Sequence, residues 1–592
     1  LRGFASGWDA PVNVLKAYGM QRDLEDPRYA DEAVRAAPET REHVGCLVDA
    51  LVTRLLFERD LWREAQAQGM PWAPVRRPEE NLDDPHWAAR GAFIDVHHPE
   101  LGRSFTHVGP KWLCRDAAWR TGPRPPLLGE HTREVLAEWT APLPLPAVVA
   151  PGRRWADAPV PSRHGKPFAL SDIRVVDLSW MLASAGAGRY LAAMGAEVVK
   201  VEHRTRIDGM RWGRGMVPPG GRVERDAATG PLDTPVPDTP DRCGAFMDIN
   251  AGKLGLSLNL KSPAGRKVLE DLIRDADMIV EGFSPGTMNR MGLGYERLKA
   301  LNPRIIYVQQ SAFGQAGTYG AARGFGPTAQ ALSGLSEMSG LPEPYPPAGI
   351  GYSYLDWFGA YNMANAMLAA LYRRQVTGKG CYIDASQAET GLYLTGTAVL
   401  DWSANARRWS RYGNRSPYKP AAPHGAYRTR GEDRWIAISI FTQAQWEALA
   451  DALGRPAWTR EVRFATPDAR LGNQDALDAV LDRATREHDG FALMEALQSR
   501  GVPAGVCQTA EDRCERDPQL RHLGWLVDLD QSEIGRWPMK EHPVRMSETP
   551  PYLGGRFDRA GPSLGEDTGR VLKTWLGLND AEIASLADAG AL

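Results

Sequence analysis

Between Asp177 and Met194 the sequence reads as strand, turn and helix, carries Gly186-Ala187-Gly188, and is followed by the acidic Glu202 at the end of the next strand. A glycine-rich turn of this kind can bring backbone N–H groups to a pyrophosphate, with the later acid holding a ribose hydroxyl. Only half of that fingerprint is present, because Leu191 stands where the third glycine belongs. Close packing of a first helix on its sheet is the plainer account of the Gly-Ala alternation, and a nicotinamide enzyme stays open for this segment taken alone. Metal chemistry finds no support. His97 and His98 are adjacent, and none of the twelve histidines falls in a His-Glu-x-x-His arrangement. No Gly-x-Ser-x-Gly elbow presents a serine nucleophile. Cys46, Cys114, Cys243, Cys381, Cys507 and Cys514 show no Cys-x-x-Cys spacing and read as free thiols of a reducing cytoplasm.

The elements that must position any site alternate. Ile173 to Leu178 is a strand, Gly186 to Met194 a helix of small and apolar residues, and Glu197 to Glu202 a strand, which together open a parallel sheet. Pro263 starts an amphipathic helix through Val268, Leu269, Leu272 and Ile273, and Asp277 to Val280 and Arg304 to Val308 supply two further strands. Trp357 to Arg374 is a long helix closed by Thr377-Gly378-Lys379-Gly380 before a strand at Tyr382 to Asp384. The alternation predicts a doubly wound α/β domain. From about Trp402 the pattern becomes that of a smaller α+β domain, with a strand at Trp435 to Ile440 and helices near Gln445 to Leu453 and Gln474 to Ala484; two more helices end the chain.

At 592 residues the chain has room for roughly three to five packed units. Seventy basic against seventy-three acidic residues give a formal charge of -3 with no like-charge block. That balance removes the signature of a nucleic-acid or membrane-surface protein, so an acidic ligand must be met locally. No apolar run reaches the ~18 to 20 residues of a membrane span. Leu1 to Ala30 lacks the apolar core of a signal peptide, and a first residue other than Met points to a fragment or processed form.

An internal repeat joins the two ends at a separation of about 430 residues. Gln68-Gly69-Met70-Pro71 is echoed by Arg500-Gly501-Val502-Pro503, Asp84-Pro85 by Asp517-Pro518, and Gly91 by Gly524. Leu128-Gly129-Glu130-x-Thr132-x-x-Val135-Leu136-x-x-Trp139 matches Leu564-Gly565-Glu566-x-Thr568-x-x-Val571-Leu572-x-x-Trp575. The expected organisation is therefore an incomplete first copy at 1–140, a Pro-rich linker at 141–165, a large α/β domain at 166–400, a small α+β domain at 401–545, and a return segment to the large domain at 546–592.

Four segments carry a resemblance to a known family: Val176-Asp177-Leu178 through Gly195 to Glu202 with Asp208 and Arg211; Asn250-x-x-Lys253 through Ser257 to Lys261; Val280 to Gly292, with Arg290 and Met291; and Asn302 to Tyr307. With Asp356 and Thr377-Gly378-Lys379-Gly380, the sequence resembles the class III coenzyme A transferases, the family of formyl-CoA and carnitine CoA-transferases that also includes α-methylacyl-CoA racemases. The likeness covers 165–592 fully and 1–140 as a partial copy.

The resemblance implies a Rossmann-like large domain, a small α+β domain and an interlocked ring architecture, as a homodimer or an intramolecular pseudo-dimer of tandem copies. It implies transfer of coenzyme A from an acyl-CoA to a small carboxylic acid, with coenzyme A as cosubstrate, no permanently bound cofactor and no metal. Asp356 matches the family's nucleophile, and a carboxylate at a helix N-terminus would be held ionised by the helix dipole. Alone, an N-capping aspartate would be the simpler reading. Arg290, Met291, Arg323, His203, Phe283 and Leu182 match positions around the bound CoA; His203 replaces an Arg and Leu182 a Gln of the formyl-CoA pattern. Phe325, Tyr354, His424 and Gly425 are expected at the acyl and acid pocket, with the Pro423-His424-Gly425 turn where formyl-CoA transferases carry a glycine loop. Phe325 stands where the racemases place an acid/base histidine and cannot move a proton, which disfavours racemisation. A transferase or lyase acting on an onium acid such as dimethylsulfoniopropionate, held by aromatic rings, and a non-catalytic scaffold are the further alternatives.

Overall fold

The computed structural model describes residues 7–54, 61–121, 123–140, 160–212, 239–349 and 351–592. The expected linker lies, as far as residue 159, outside the described residues. The chain divides into two units: Leu1–Glu337 with Gly349–Trp409 and Trp525–Leu592, and Met338–Ala348 with Ser410–Gly524.

The first unit begins with helices α1 (Asp9–Ala17), α2 (Pro38–Arg54), α3 (Leu61–Ala67) and α4 (Pro85–Arg90), a hairpin of β1 (Phe93–His98) and β2 (Arg103–Val108), the short strand β3 (Leu113–Cys114) and helix α5 (Thr132–Thr140). Then come β4 (Arg174–Asp177), α6 (Ala183–Ala193), β5 (Glu197–Glu202), β6 (Leu254–Ser257), α7 (Pro263–Asp275), β7 (Met278–Glu281), α8 (Thr287–Arg290), β8 (Ile306–Ser311), α9 (Gly326–Ser333), α10 (Tyr354–Thr377), β9 (Cys381–Ser386) and α11 (Gln387–Leu394).

These strands form one seven-stranded sheet in the order β3-β9-β8-β7-β4-β5-β6, parallel except for β3. Both faces are covered, so the strands are apolar almost throughout: Val175, Val176, Val198, Val199, Met278, Ile279, Val280, Ile306 and Val308 are buried. The chain winds from β4 out to β6 and then returns to β7 on the other side of β4. That reversal leaves a crevice beyond the carboxyl ends of β4 and β7, where open α/β sheets take their ligands. The doubly wound reading is thus the fold observed. The antiparallel edge strand β3, supplied by the amino-terminal segment, was not expected.

Glycine explains how the layers come so close. A Cβ on Gly186 would stand 3.0 Å from the Cβ of Ala360 in α10, and one on Gly188 would stand 2.8 Å from Oδ2 of Asp177. The Gly-Ala-Gly run therefore serves packing, and the half-fingerprint of a dinucleotide site dissolves into it. Helix α10 ends where Gly378 takes φ +73°, a left-handed C-terminal stop. No helix among the described residues is long and apolar enough to cross a membrane, and no cluster of three or more potential metal ligands occurs among them.

In the second unit, β10 (His424–Arg428), β11 (Trp435–Ser439) and β12 (Ala504–Val506) make an antiparallel sheet with helices α12 (Gln443–Ala452), α13 (Gln474–Thr485) and α14 (Gly490–Gln498). Ile436, Ile438, Trp446, Leu449, Phe464 and Leu481 are buried in its core. After it the first unit resumes with the hairpin β13 (Leu526–Gln531) and β14 (Gly535–Lys540) and helices α15 (Thr568–Leu576) and α16 (Asp580–Asp588).

Candidate active site

Several charged residues of the family-like segments lie beneath the sheet's crevice as a buried network. Lys253 Nζ bonds Asp177 Oδ2 at 2.7 Å, the Ala185 carbonyl at 2.8 Å and Asn250 Oδ1 at 2.9 Å. Lys200 pairs with Asp208 at 2.7 Å, and the Arg211 guanidinium grips Glu202 at 2.8 Å. Burial pulls Lys253 down to about 8 against the pull of Asp177, whereas Glu202, also opposed by burial, is held below the usual carboxylate range chiefly by Arg211. These groups set the shape of the β4, β5 and β6 ends and touch each other before anything else.

Above them opens a cavity of about 900 Å³. Asp356 lies in its wall, in the first turn of α10, whose N-cap is Ser353. It is not an N-cap. Its Oδ1 accepts a hydrogen bond from the backbone N–H of Gly326, the first residue of α9, at 2.8 Å, and another from the Gln387 carboxamide at 2.6 Å. A Cβ on residue 326 would sit 2.7 Å from Asp356 Cγ, so the N–H reaches the carboxylate only because Gly326 has no side chain. Burial raises the Asp356 pKa above the 3.8 of an ordinary aspartate, with the hydrogen bonds from Gln387, Gly326 and Ser353 opposing it.

Gln387 is buried at the start of α11, directly after β9. Beside it Gln310, at the end of β8, donates to the Gly359 carbonyl at 2.9 Å and accepts from the Ser184 hydroxyl at 3.3 Å. Four elements thus converge on one carboxylate: α10 carries it, α9 and α11 hold it, and β8 braces the helix beneath.

Leu182, His203, Phe283, Met291, Arg323 and Phe325, all expected at the site, line the same cavity as Asp356. Arg290 does not; its guanidinium bonds the Pro285 carbonyl at 3.2 Å and Thr287 Oγ1 at 2.9 Å on the exposed side of α8. Tyr354 is also outside the lining, its ring stacked on Phe358 with centroids 4.3 Å apart. His424 and Gly425 belong to β10 of the second unit. Reasoning from sequence missed Gly326, which bonds Asp356, and Gln387 and the exposed Arg206 and Lys261, which line the cavity. Lys261 closes a segment already singled out, and Gln387 directly follows the strand after the Thr-Gly-Lys-Gly turn. Nothing in their local pattern announced them.

The fold and site define an open-sheet α/β enzyme with one braced carboxylate in a large, mostly apolar cavity at the sheet's switch point. The family model of CoA-transferase family III matches residues 11–132 and 170–568, and the chain belongs to that family and to the CoA-transferase class of enzymes. It is 32% identical over 426 residues to a succinyl-CoA--D-citramalate CoA-transferase of Chloroflexus aurantiacus, covering 72% of this chain and 98% of that relative. To a succinyl-CoA:mesaconate CoA-transferase of Haloarcula marismortui it is 33% identical, covering 66% and 92%. To a formyl-CoA:oxalate CoA-transferase of Rhodopseudomonas palustris it is 28% identical, covering 72% and 97%. A crystal structure of a CAIB/BAIF family protein from Brucella suis superposes with a TM-score of 0.59 at 27% identity, covering 68% of this chain and 98% of that one.

Proposed function

We propose that this chain moves coenzyme A from an acyl-CoA to a small carboxylic acid, with Asp356 as the nucleophile. The carboxylate attacks the thioester carbonyl and expels CoA thiolate, leaving a mixed anhydride. The thiolate then attacks the aspartyl carbonyl of that anhydride, releasing the donor acid and forming an aspartyl-CoA thioester. An acceptor carboxylate reverses both steps, so two acids exchange one CoA and no net electron transfer occurs. The observation that carries this reading is the placement of Asp356: a half-buried carboxylate held by the Gly326 N–H and Gln387 in the wall of a cavity large enough for an acyl-CoA.

Among the described residues neither Arg206, Lys261 nor Arg323 pairs with a carboxylate, and we assign these three to the phosphates of CoA. Phe283 and Met291 offer apolar surface to the rest of the cosubstrate. The named activities of the relatives point to dicarboxylic acids as the first acceptors to try.

We also read residues 1–140 as the rear part of a first transferase copy. In support, hairpin β1–β2 repeats β13–β14, α5 repeats α15, and both pairs stand at the spacing of the sequence repeat. Val571, Leu572 and Trp575 of α15 are at most 4% exposed, whereas their counterparts Val135, Leu136 and Trp139 in α5 are 42%, 59% and 77% exposed. The first helix keeps an apolar face for a large domain that its own copy lacks among the described residues.

The test is a panel of acyl-CoAs and carboxylic acids, with CoA esters followed by mass spectrometry. Exchange is expected for wild type, with a covalent CoA adduct on the peptide containing Asp356. Both should vanish in Asp356→Ala, and exchange persisting in that variant would remove Asp356 as nucleophile.

A further inference from the structure

The wall of the cavity next to Asp356 is a loop, and it is not held by its own domain alone. Ala322, Arg323, Gly324 and Phe325 all line the cavity, and the next residue is Gly326, whose N–H grips Asp356. The backbone of Arg323 is bonded on both sides by a single side chain from 257 positions earlier. The Gln66 carboxamide, at the end of α3, donates to the Arg323 carbonyl at 2.7 Å, and its oxygen accepts from the Arg323 N–H at 2.8 Å. This is the hydrogen-bond pair that a neighbouring strand would supply, delivered by one amide. The same Gln66 nitrogen also bonds the Trp72 carbonyl at 2.7 Å, which fixes the carboxamide in place.

The start of this loop is gripped from the same segment. His86 accepts from the Tyr319 N–H at 3.1 Å through Nδ1, so Nε2 carries the proton donated to the Phe313 carbonyl at 2.9 Å. Between Phe313 and Tyr319 the backbone also meets the sheet, where the Gln315 N–H donates to Asp384 of β9 at 3.0 Å.

The internal repeat separates two uses of Gln66. Its counterpart in the second copy is Gln498, whose Nε2 donates to the Ala504 carbonyl at 2.8 Å, the equivalent of the bond to Trp72. That inner bond belongs to the turn of both copies. The pair with Arg323 is the additional use, found at the first copy.

We propose that the amino-terminal segment is a working part of the CoA site, and that Gln66 is a positioning residue that sets the loop carrying Arg323 and Phe325 beside Asp356. The inference rests on the reading that this cavity binds coenzyme A. A donor and an acceptor are both required of residue 66. Alanine removes both, and glutamate keeps the acceptor while turning a second acceptor onto the Arg323 carbonyl.

The experiment uses the full chain and compares wild type, Gln66→Ala, Gln66→Glu and, as a control that loses only the inner bond, Gln498→Ala. KM for acyl-CoA, KM for the acid, kcat, thermal midpoint and CoA binding by quenching of intrinsic tryptophan fluorescence are measured for each. Both Gln66 variants are expected to raise KM for acyl-CoA and the Kd of CoA about tenfold. Their KM for the acid should stay within about twofold, and their thermal midpoints should fall no further than that of Gln498→Ala. Equal CoA affinity in wild type and Gln66→Ala overturns the inference and leaves the proposed function standing. So does a loss of affinity matched by Gln498→Ala. A wild type that neither binds CoA nor exchanges it overturns the proposed function, and the inference with it.

Discussion

Asp356 gains its chemistry from what surrounds it rather than from its type. Burial raises its pKa, while two donors on Oδ1 lower it again, so the fraction ionised depends on keeping both. Gln387 is the stronger handle because its side chain can be changed without touching the backbone. Losing a hydrogen bond to a charged group costs about 1.5 to 3 kcal/mol. On the acid limb of the pH–rate profile, where the ionised fraction limits the rate, Gln387→Ala should therefore lower kcat by roughly 10- to 150-fold. It should also move the acid limb of the pH–rate profile upward, because the ionised form loses a donor while the burial term stays. Wild type itself should gain activity with rising pH through a midpoint above the 3.8 of an ordinary aspartate. A pH–rate series on the two proteins checks both statements; an unmoved acid limb would separate Gln387 from the ionisation of Asp356.

At the scale of elements, helix α4 matters more than its six residues imply. Its Arg90 is fully buried and bonds Asp384 at 2.7 Å through Nη1 and Glu389 at 2.7 and 2.8 Å through Nε and Nη2. Asp384 lies in β9 and Glu389 in α11, two residues beyond Gln387, so the pair ties the amino-terminal segment to the elements behind the site. Arg90→Met would leave two buried carboxylates without their cation, a loss of about 3 to 5 kcal/mol. Burial pushes the Glu389 pKa up, with Arg90 opposing it. Without Arg90 that pKa rises further above its unfolded value. The penalty is then absent below the unfolded pKa and grows as pH rises toward the folded one. Urea unfolding should show a larger deficit at pH 8 than at pH 5; equal deficits would place the effect in packing instead.

At the scale of the molecule, the first 140 residues and the large domain share one core. Leu47, Trp62 and Trp87 from the former pack in the same cluster as Phe313, Leu332, Leu355 and Leu392 from the latter. Deleting residues 1–140 would bare that cluster and strip β3 from the sheet, leaving β9 paired with β8 alone and its other edge open. The shortened chain should aggregate, as read by light scattering and soluble yield. A soluble product with wild-type exchange would refute the role given to the segment as the rear of a first copy, and would leave the large domain self-sufficient.

The large domain could be read from the sequence because its signals are local. Apolar strands, a proline-started amphipathic helix and a glycine stop each follow from a few neighbouring residues, and β4, β5, α7, β7, β8, α10 and β9 stand where those patterns put them. Asp356 was legible for a different reason: it sits at a fixed distance before the Thr-Gly-Lys-Gly turn in a family-like frame. Met291, Arg323 and Phe325 followed from the same frame. Arg290 did not, because its neighbours on α8 capture the guanidinium.

The sequence alone determined the parallel sheet, the repeat at its two ends, the family and the candidate carboxylate, since all of these lie in patterns along the chain. Tertiary structure alone decided that Asp356 is raised rather than lowered in pKa, that Gly326 and Gln387 hold it, and that Gln66 and Arg90 of the amino-terminal segment reach the walls around it. Desolvation and contact across 257 or 299 positions are properties of packed space, and no spacing in the chain encodes them.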